Sequence, residues 1–291
     1  PFKWYLTDLI IELNALRKKR LGGTTPPHIF FQLKRVFHLL ESIGSARIEG
    51  NNTTILDYID AKIDEQEEKK DSVPHGIKEI RNIESAMTFI EETIKDNKIN
   101  KAFISELHKM IVKDLEPPPK GEGDKHPGTY RSVNLKINKA KHVPPDWVKV
   151  DEYMEELLAF INQEDPPKYD LLKTAIAHHR FVWIHPFCNG NGRTVRLFTY
   201  AMLVKNGFNV DSGRILNPTA VFCSDRNKYY ENLAIADEGT DEGILNWSEY
   251  VLNGLMTEIE KIDKLLDYGF LKKEILNPAI NYSLERKYIT D

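Results

Sequence analysis

Residues His185–Arg196 read His-Pro-Phe-Cys-Asn-Gly-Asn-Gly-Arg-Thr-Val-Arg, and no other stretch constrains the chain as strongly. An apolar run, Phe181-Val182-Trp183-Ile184, leads in, and Pro186 opposes continuation of a helix at that point. Gly190-Asn191-Gly192 then forms a tight turn. After it, Val195, Leu197, Phe198, Ala201, Met202 and Leu203 have the crowded apolar spacing of a buried helix. A glycine-rich turn that opens a helix leaves backbone N–H groups without intrahelical partners at the positive end of the helix dipole. That is an anion site, best matched to phosphate. Arg193 and Arg196 are three apart, so they are neighbours on one helix face and set two permanent charges beside the site. His185 stands just before it, with an ordinary pKa suited to taking up a proton near neutrality. Taken singly these features are ordinary: a His before a Pro is usually structural, and two Arg at helical spacing usually make a solvated face. Their joint spacing carries the reading.

That spacing closely resembles the signature of Fic-domain proteins, His-x-Phe-x-(Asp/Glu)-Gly-Asn-Gly-Arg-x-x-Arg. Every fixed position matches except one, because Asn189 stands where the family usually has an acid. The resemblance implies transfer of a nucleoside monophosphate, usually AMP from ATP, to a Ser, Thr or Tyr hydroxyl of a target protein. It makes His185 the general base and places the α-phosphate on the N–H groups at Gly190–Gly192, assisted by Asn191. It assigns the outer phosphates to Arg193 and Arg196. Phe187 is expected to point into the core and fix the loop. The usual acid would hold Mg²⁺ between phosphates; Asn189 offers one neutral oxygen instead, so the affinity for Mg²⁺ is expected to fall, while the triphosphate supplies most of the metal's charge partners and Mg²⁺ is still the expected cofactor beside ATP. A Tyr pair, Tyr229 and Tyr230, falls where relatives line an adenine pocket. The Ala-Asn-x-Gly segment that often follows reads Ala236-Asp237-Glu238-Gly239 here, without the amide.

A second stretch, Ser45-Ala46-Arg47-Ile48-Glu49-Gly50-Asn51, places Ser45 and Glu49 four apart and on one face of a helical turn, which Gly50 or Asn51 can end in the left-handed conformation. On its own it reads as a surface helix end. Beside the signature it resembles the (Ser/Thr)-x-x-x-Glu-(Gly/Asn) inhibitory helix of many Fic proteins, whose Glu pairs with the second Arg of the signature. The pair implied here is Glu49 with Arg196, Ser45 orienting the carboxylate. Two rivals to restrained AMP transfer follow from the same residues. One is the reverse hydrolysis, with Glu49 positioning water to remove AMP. The other is a nucleotide-binding regulatory protein of little turnover, favoured by Asn189 and opposed by His185.

Other glycine-rich nucleotide motifs are excluded. No Gly-x-x-x-x-Gly-Lys-(Ser/Thr) P-loop occurs, and Val195 occupies the position of the third Rossmann glycine. A net charge of −4 implies no general nucleic-acid surface. Two cysteines, Cys188 and Cys223, make no disulfide framework and suit a reducing compartment. No apolar run approaches the length of a membrane span and no signal peptide is visible, so a cytoplasmic protein is expected. Homo-oligomers and self-modification are compatible with the family.

Apolar residues at helical spacing recur along the rest of the chain of 291 residues: Leu6–Leu16, Phe30–Leu40, Leu56–Ile63, Ile80–Ile94, Ile104–Ile111, Val150–Ile161 and Trp247–Ile262. His178 and His179 are adjacent, cannot share a helix face, and are read as packing or capping residues rather than metal ligands. The single hairpin candidate is Tyr130–Val143, with a turn at Asn138–Lys141; the family supplies the role of a flap that aligns the target by strand addition. The expectation is therefore an all-α, Fic-like helical core with a small β-hairpin flap. Residues 1–96 would form an N-terminal helical region with the inhibitory segment, 97–265 the core, and 266–291 a tail or the start of a further domain. That tail is too short for the winged-helix domain of some relatives, so nucleic acid is no expected partner without a further domain.

Overall fold

The computed structural model describes residues 4–18, 24–66, 73–137, 140–208, 218–265 and 267–285, and among them the regular structure is helical, with no strand. Helices α1 (Trp4–Lys18), α2 (Pro27–Ile48), α3 (Ile55–Gln66), α4 (His75–Thr93) and α5 (Lys101–Val112) precede a long connection. Helices α6 (Val150–Asn162), α7 (Asp170–Ile184), α8 (Asn191–Lys205), α9 (Pro218–Cys223), α10 (Arg226–Ala236) and α11 (Asp241–Leu265) follow. The described residues end with α12 (Tyr268–Leu271), a π turn at Lys272–Leu276 and α13 (Asn277–Glu285). No described helix is long and apolar enough to cross a membrane.

Local chemistry explains the boundaries that matter. Asn100 caps α5 by accepting from the Phe103 N–H, and Asp225 caps α10 by accepting from Lys228. Thr54 and Asp57 satisfy each other's backbone N–H in a capping box at α3. The apolar pattern of α3 does not face the core: Leu56, Ile59 and Ile63 are exposed, and Tyr58 and Ala61 are the buried pair. Helix α2 runs on through Ser45 to Ile48 and is ended by Gly50 at φ +107°, a conformation that costs glycine little.

The centre of the molecule is α8. Every residue from Arg193 to Val204 is buried, polar ones included, as expected of a helix enclosed on all sides. Phe198, Ala201 and Met202 join a cluster with residues of α2, α4, α5, α6 and α7. Leu203 joins a second cluster with residues of α1, α7, α9, α10 and α11. So the elements before and after the signature both close on the helix it opens.

The hairpin expected at Tyr130–Val143 is not formed. Asn138 and Lys139 lie outside the described residues, and those on either side are extended or bent without strand pairing. The segment's bonds go elsewhere. The Arg131 N–H donates to Pro186 O, the Arg131 side chain reaches Val133 O and Pro145 O, and Asn134 Oδ1 accepts from the Trp147 N–H. Two strands need a ladder, or something to pack on, to be stable. Here side-chain bonds to backbone carbonyls replace the ladder.

Candidate active site

The site is built where α7 ends. Phe181 and Ile184 bury the last turn. His185 follows it in the left-handed region, at φ +54° and ψ +63°, with its N–H donating to Phe181 O. That conformation is unfavourable for a side chain with a Cβ and persists only where its surroundings hold it. Arg131, 3% exposed, supplies much of the hold: Nε donates to His185 O at 2.9 Å, Nη2 to Ile184 O at 3.3 Å, and its N–H to Pro186 O at 2.8 Å. The next turn is pinned by Phe187, which is fully buried with its ring stacked on His108 at 3.8 Å. Asn191 closes the loop, accepting from Phe187 N–H through Oδ1 and donating to Phe187 O through Nδ2. The Asn191 side chain is thus spent on the loop rather than aimed at a ligand.

The His185 ring donates from Nδ1 to Val182 O at 3.3 Å, which leaves Nε2 as the basic nitrogen. Burial lowers its pKa to about 4; the Val182 carbonyl opposes this and the Arg131 charge adds to it. The ring is therefore neutral across the physiological range.

Gly190, at φ +73°, turns the chain into α8, whose first internal bond runs from Thr194 N–H to Gly190 O. The N–H groups of Asn191, Gly192 and Arg193 have no partner within the helix. Glu49 lies against this end: a Cβ at residue 192 would fall 2.1 Å from Glu49 Oε1. That same oxygen accepts from Arg196 Nη2 at 2.7 Å, while Arg196 also donates from Nε to Ser45 Oγ at 2.8 Å and from Nη2 to Ser45 O at 3.0 Å. Burial pushes the Glu49 carboxyl up, but the charge and hydrogen bond of Arg196, with Arg193 and Arg226, outweigh it and hold it below the usual carboxylate range. A lowered pKa means that the pair is intact above the ordinary Glu value and is lost only as pH falls through the lowered one.

Arg193 is enclosed by Glu79 of α4, 3.0 Å from Nη1, and by Glu122 O, which accepts from Nη2 at 2.6 Å. Asn189 is fixed from the connection after α5: its N–H donates to Asp124 Oδ2 and its Nδ2 to Gly123 O. His108 joins the two loops, accepting the Gly128 N–H at Nδ1 and donating from Nε2 to Asn189 O. Among the described residues no group of three or more His, Cys, Asp or Glu side chains is placed to hold a metal ion. With Asn189 contributing a single neutral oxygen, a resident Mg²⁺ does not fit the residues present.

Of the Tyr pair, Tyr229 is 2% exposed and its hydroxyl meets His178 Nε2 at 3.1 Å, inside the core. Tyr230 is exposed at the surface with Arg226 over its ring. Asp237 pairs with His179. The structure thus brings together His185, Asn189–Arg193, Arg196, Ser45 and Glu49, and leaves Tyr229 behind the wall. Sequence reasoning missed Arg131, Glu79, His108 and Asp124. Each is a lone polar residue in a helical or loop pattern, and only the fold reveals what it faces.

Residues 98–203 match the Fic/DOC family. Among curated relatives, the protein adenylyltransferase Fic of Nematostella vectensis is 29% identical over 167 residues, 55% of this chain and 34% of the relative. The protein of the same name from Culex quinquefasciatus is 27% identical over 244 residues, 78% of this chain and 43% of the relative. The chain thus spans less than half the length of these relatives. Among solved structures, a Fic family protein from Desulfovibrio desulfuricans has a TM-score of 0.68 at 22% identity, covering 90% of this chain and 74% of that one. Fic-1 of C. elegans has a TM-score of 0.68 at 20% identity, covering 89% and 72%. At such identities these two likenesses speak to the fold alone. The signature His185–Arg196 lies inside the matched stretch, so it is the part of the chain around the site that is similar to the Fic/DOC family.

Proposed function

We propose that the chain is a protein adenylyltransferase, restrained by Glu49, that moves AMP from ATP to a hydroxyl of a target protein. The observation that supports it is the meeting of a neutral His185, with Nε2 free, and an N–H-lined helix end flanked by Arg193 and Arg196. In this reading the hydroxyl oxygen forms a bond to Pα as the bond from Pα to pyrophosphate breaks. The hydroxyl proton goes to His185 Nε2. The N–H groups at Gly190–Gly192 receive the α-phosphate, and Arg193 and Arg196 neutralise the departing pyrophosphate. Residues 97–265 would form the catalytic core and residues 1–96 the region carrying the restraint. Tyr230, at the surface beside Arg226, is the better placed of the Tyr pair to meet a base. Incubation of the chain with labelled ATP and a cell lysate, in the presence of Mg²⁺, tests the reading: label should move to protein and resist denaturation. Free nucleotide binding without transfer would favour a regulatory protein, and loss of AMP from pre-labelled protein would favour the hydrolase.

Magnesium here is part of the substrate, arriving with the triphosphate. Asn189→Asp adds a carboxylate beside it and should lower the Mg²⁺ concentration needed for half-maximal labelling several-fold, about what one charged ligand contributes. An unchanged metal titration removes the claim, and a raised requirement would assign Asn189 to holding Gly123.

The protonation state of the base is separately measurable. An NMR titration of the His185 ring should give a midpoint well below 6.5, near the value of about 4 set mainly by burial. The proton is bound only below that midpoint, so competence as a base is lost as pH falls through it. A midpoint at 6.5 or above would mean that the ring is solvated.

A further inference from the structure

The two arginines of the site are held in opposite ways. Arg196 spends its donors on three acceptors, Ser45 Oγ, Ser45 O and Glu49 Oε1, and the Glu49 side chain is 27% exposed at the end of its helix. Arg193 is 1% exposed and sits 3.0 Å from a carboxylate, Glu79, that is itself 2% exposed. Its Nη2 donates to Glu122 O and its Nη1 faces Glu79 Oε1 at ion-pair distance, out of hydrogen-bond alignment, while the buried Nε makes no hydrogen bond. Glu79 balances the charge of Arg193 from the Nη1 side and leaves Nε unoccupied. Buried donors left open in this way are costly unless a ligand completes them.

Glu79 is also anchored by a neighbouring amide. Its Oε2 accepts from Asn51 Nδ2 at 2.7 Å, and the same amide donates to Gly76 O at 2.9 Å. Asn51 lies two residues past Glu49, and α4 packs on α8, so this carboxylate is fixed from both sides. Without it, the nearest other carboxylate to Arg193 is Glu122, 3.8 Å away and 46% exposed, at the rim of the site. A buried guanidinium deprived of its counter-charge moves toward the charge and solvent that remain.

We propose that Glu79 is a positioning residue for nucleotide binding: it holds Arg193 inside the site through Nη1 and leaves Nε for an outer phosphate. The inference rests on the nucleotide reading above and adds a sign. Glu49 restrains and Glu79 assists, although both are carboxylates beside a signature arginine.

The test uses the Glu49→Gly chain, so that the restraint does not enter, and measures ATP and AMP affinity by calorimetry. AMP lacks the outer phosphates that Arg193 would meet. Glu79→Gln should weaken ATP binding about tenfold, the effect of one charge-assisted contact, and leave AMP binding unchanged. Glu79→Asp, which keeps the charge, should recover part of the loss. Asn51→Ala frees the Glu79 carboxylate without stranding a charge and should lower ATP affinity about threefold with the same selectivity. Equal losses for ATP and AMP would make Glu79 a merely structural residue and overturn the proposal. So would an ATP affinity that is unchanged or raised, which would make Glu79 a bystander or a second restraint. If Glu79→Gln does not fold, Glu79→Asp and Asn51→Ala decide by the same ATP-to-AMP ratio. A Glu49→Gly parent that binds no ATP overturns the nucleotide reading and this proposal together. A parent that binds ATP, with variants whose ratio does not move, overturns the role of Glu79 alone.

Discussion

Glu49→Gly should raise AMP labelling, of the chain itself or of a target, about ten- to a hundredfold. The expectation comes from competition for one guanidinium. Arg196 is 2% exposed and meets Glu49 at 2.7 Å, and it cannot hold that carboxylate and a phosphate equally well. A hydrogen bond to a charged group contributes about 1.5–3 kcal/mol, and every ~1.4 kcal/mol is tenfold in binding. The carboxylate also stands over the α8 N-terminus, where a Cβ at residue 192 would collide with it, so it repels as well as diverts an incoming phosphate. Acid is not a substitute for the mutation, because the carboxyl is held below its ordinary range and the pair survives at neutral pH. Two controls fix the cause. Glu49→Gly with Arg196→Ala should lose most of the gain, since the freed arginine is what helps. In Glu49→Gly alone the thermal midpoint without nucleotide should drop, because a buried guanidinium has lost its partner, and ATP should restore more of it than in the parent. No rise in labelling from a folded Glu49→Gly chain would sink the restraint and leave Glu49 a helix-end residue.

How much of this was legible in the sequence depended on whether the information was periodic or not. The helical core was legible, because Ile80, Ile83, Met87 and Ile90 repeat at helical spacing and are buried at that spacing. So was the signature loop, whose residues are contiguous. The pair of Glu49 with Arg196 was accessible only because each half has its own recognisable pattern. The hairpin failed for a physical reason. Alternation at Tyr130–Ile137 reads as a strand, but register and pairing belong to the partner, and here Arg131 points its guanidinium at the carbonyls of residues 133, 145, 184 and 185. Tyr229 shows the opposite limit. An aromatic that the family pattern places at the adenine pocket is turned into the core, where its hydroxyl meets His178. Glu79 and His108 carry no local signal at all. On α4 and α5 they occupy core-facing positions where an apolar residue fits the pattern, and only the opposing helix supplies the reason for a polar one.

His185→Ala, made in the Glu49→Gly chain, should cut AMP transfer by about 10²–10⁴-fold, the usual contribution of a positioned general base. ATP affinity should hold, because the arginines and the helix end are untouched. The fold should hold too. Ala can occupy the left-handed backbone conformation of His185 at a modest cost, Arg131 grips the carbonyl rather than the ring, and the ring's bond to Val182 O is a long 3.3 Å contact. The loss should therefore appear in the turnover number and not in KM, as expected of a group that acts only in the transition state. A variant that labels protein as fast as its parent would show that the hydroxyl is deprotonated elsewhere. A variant that loses ATP affinity in proportion would make His185 a binding residue, and the base would then have to be sought among the groups the target itself brings.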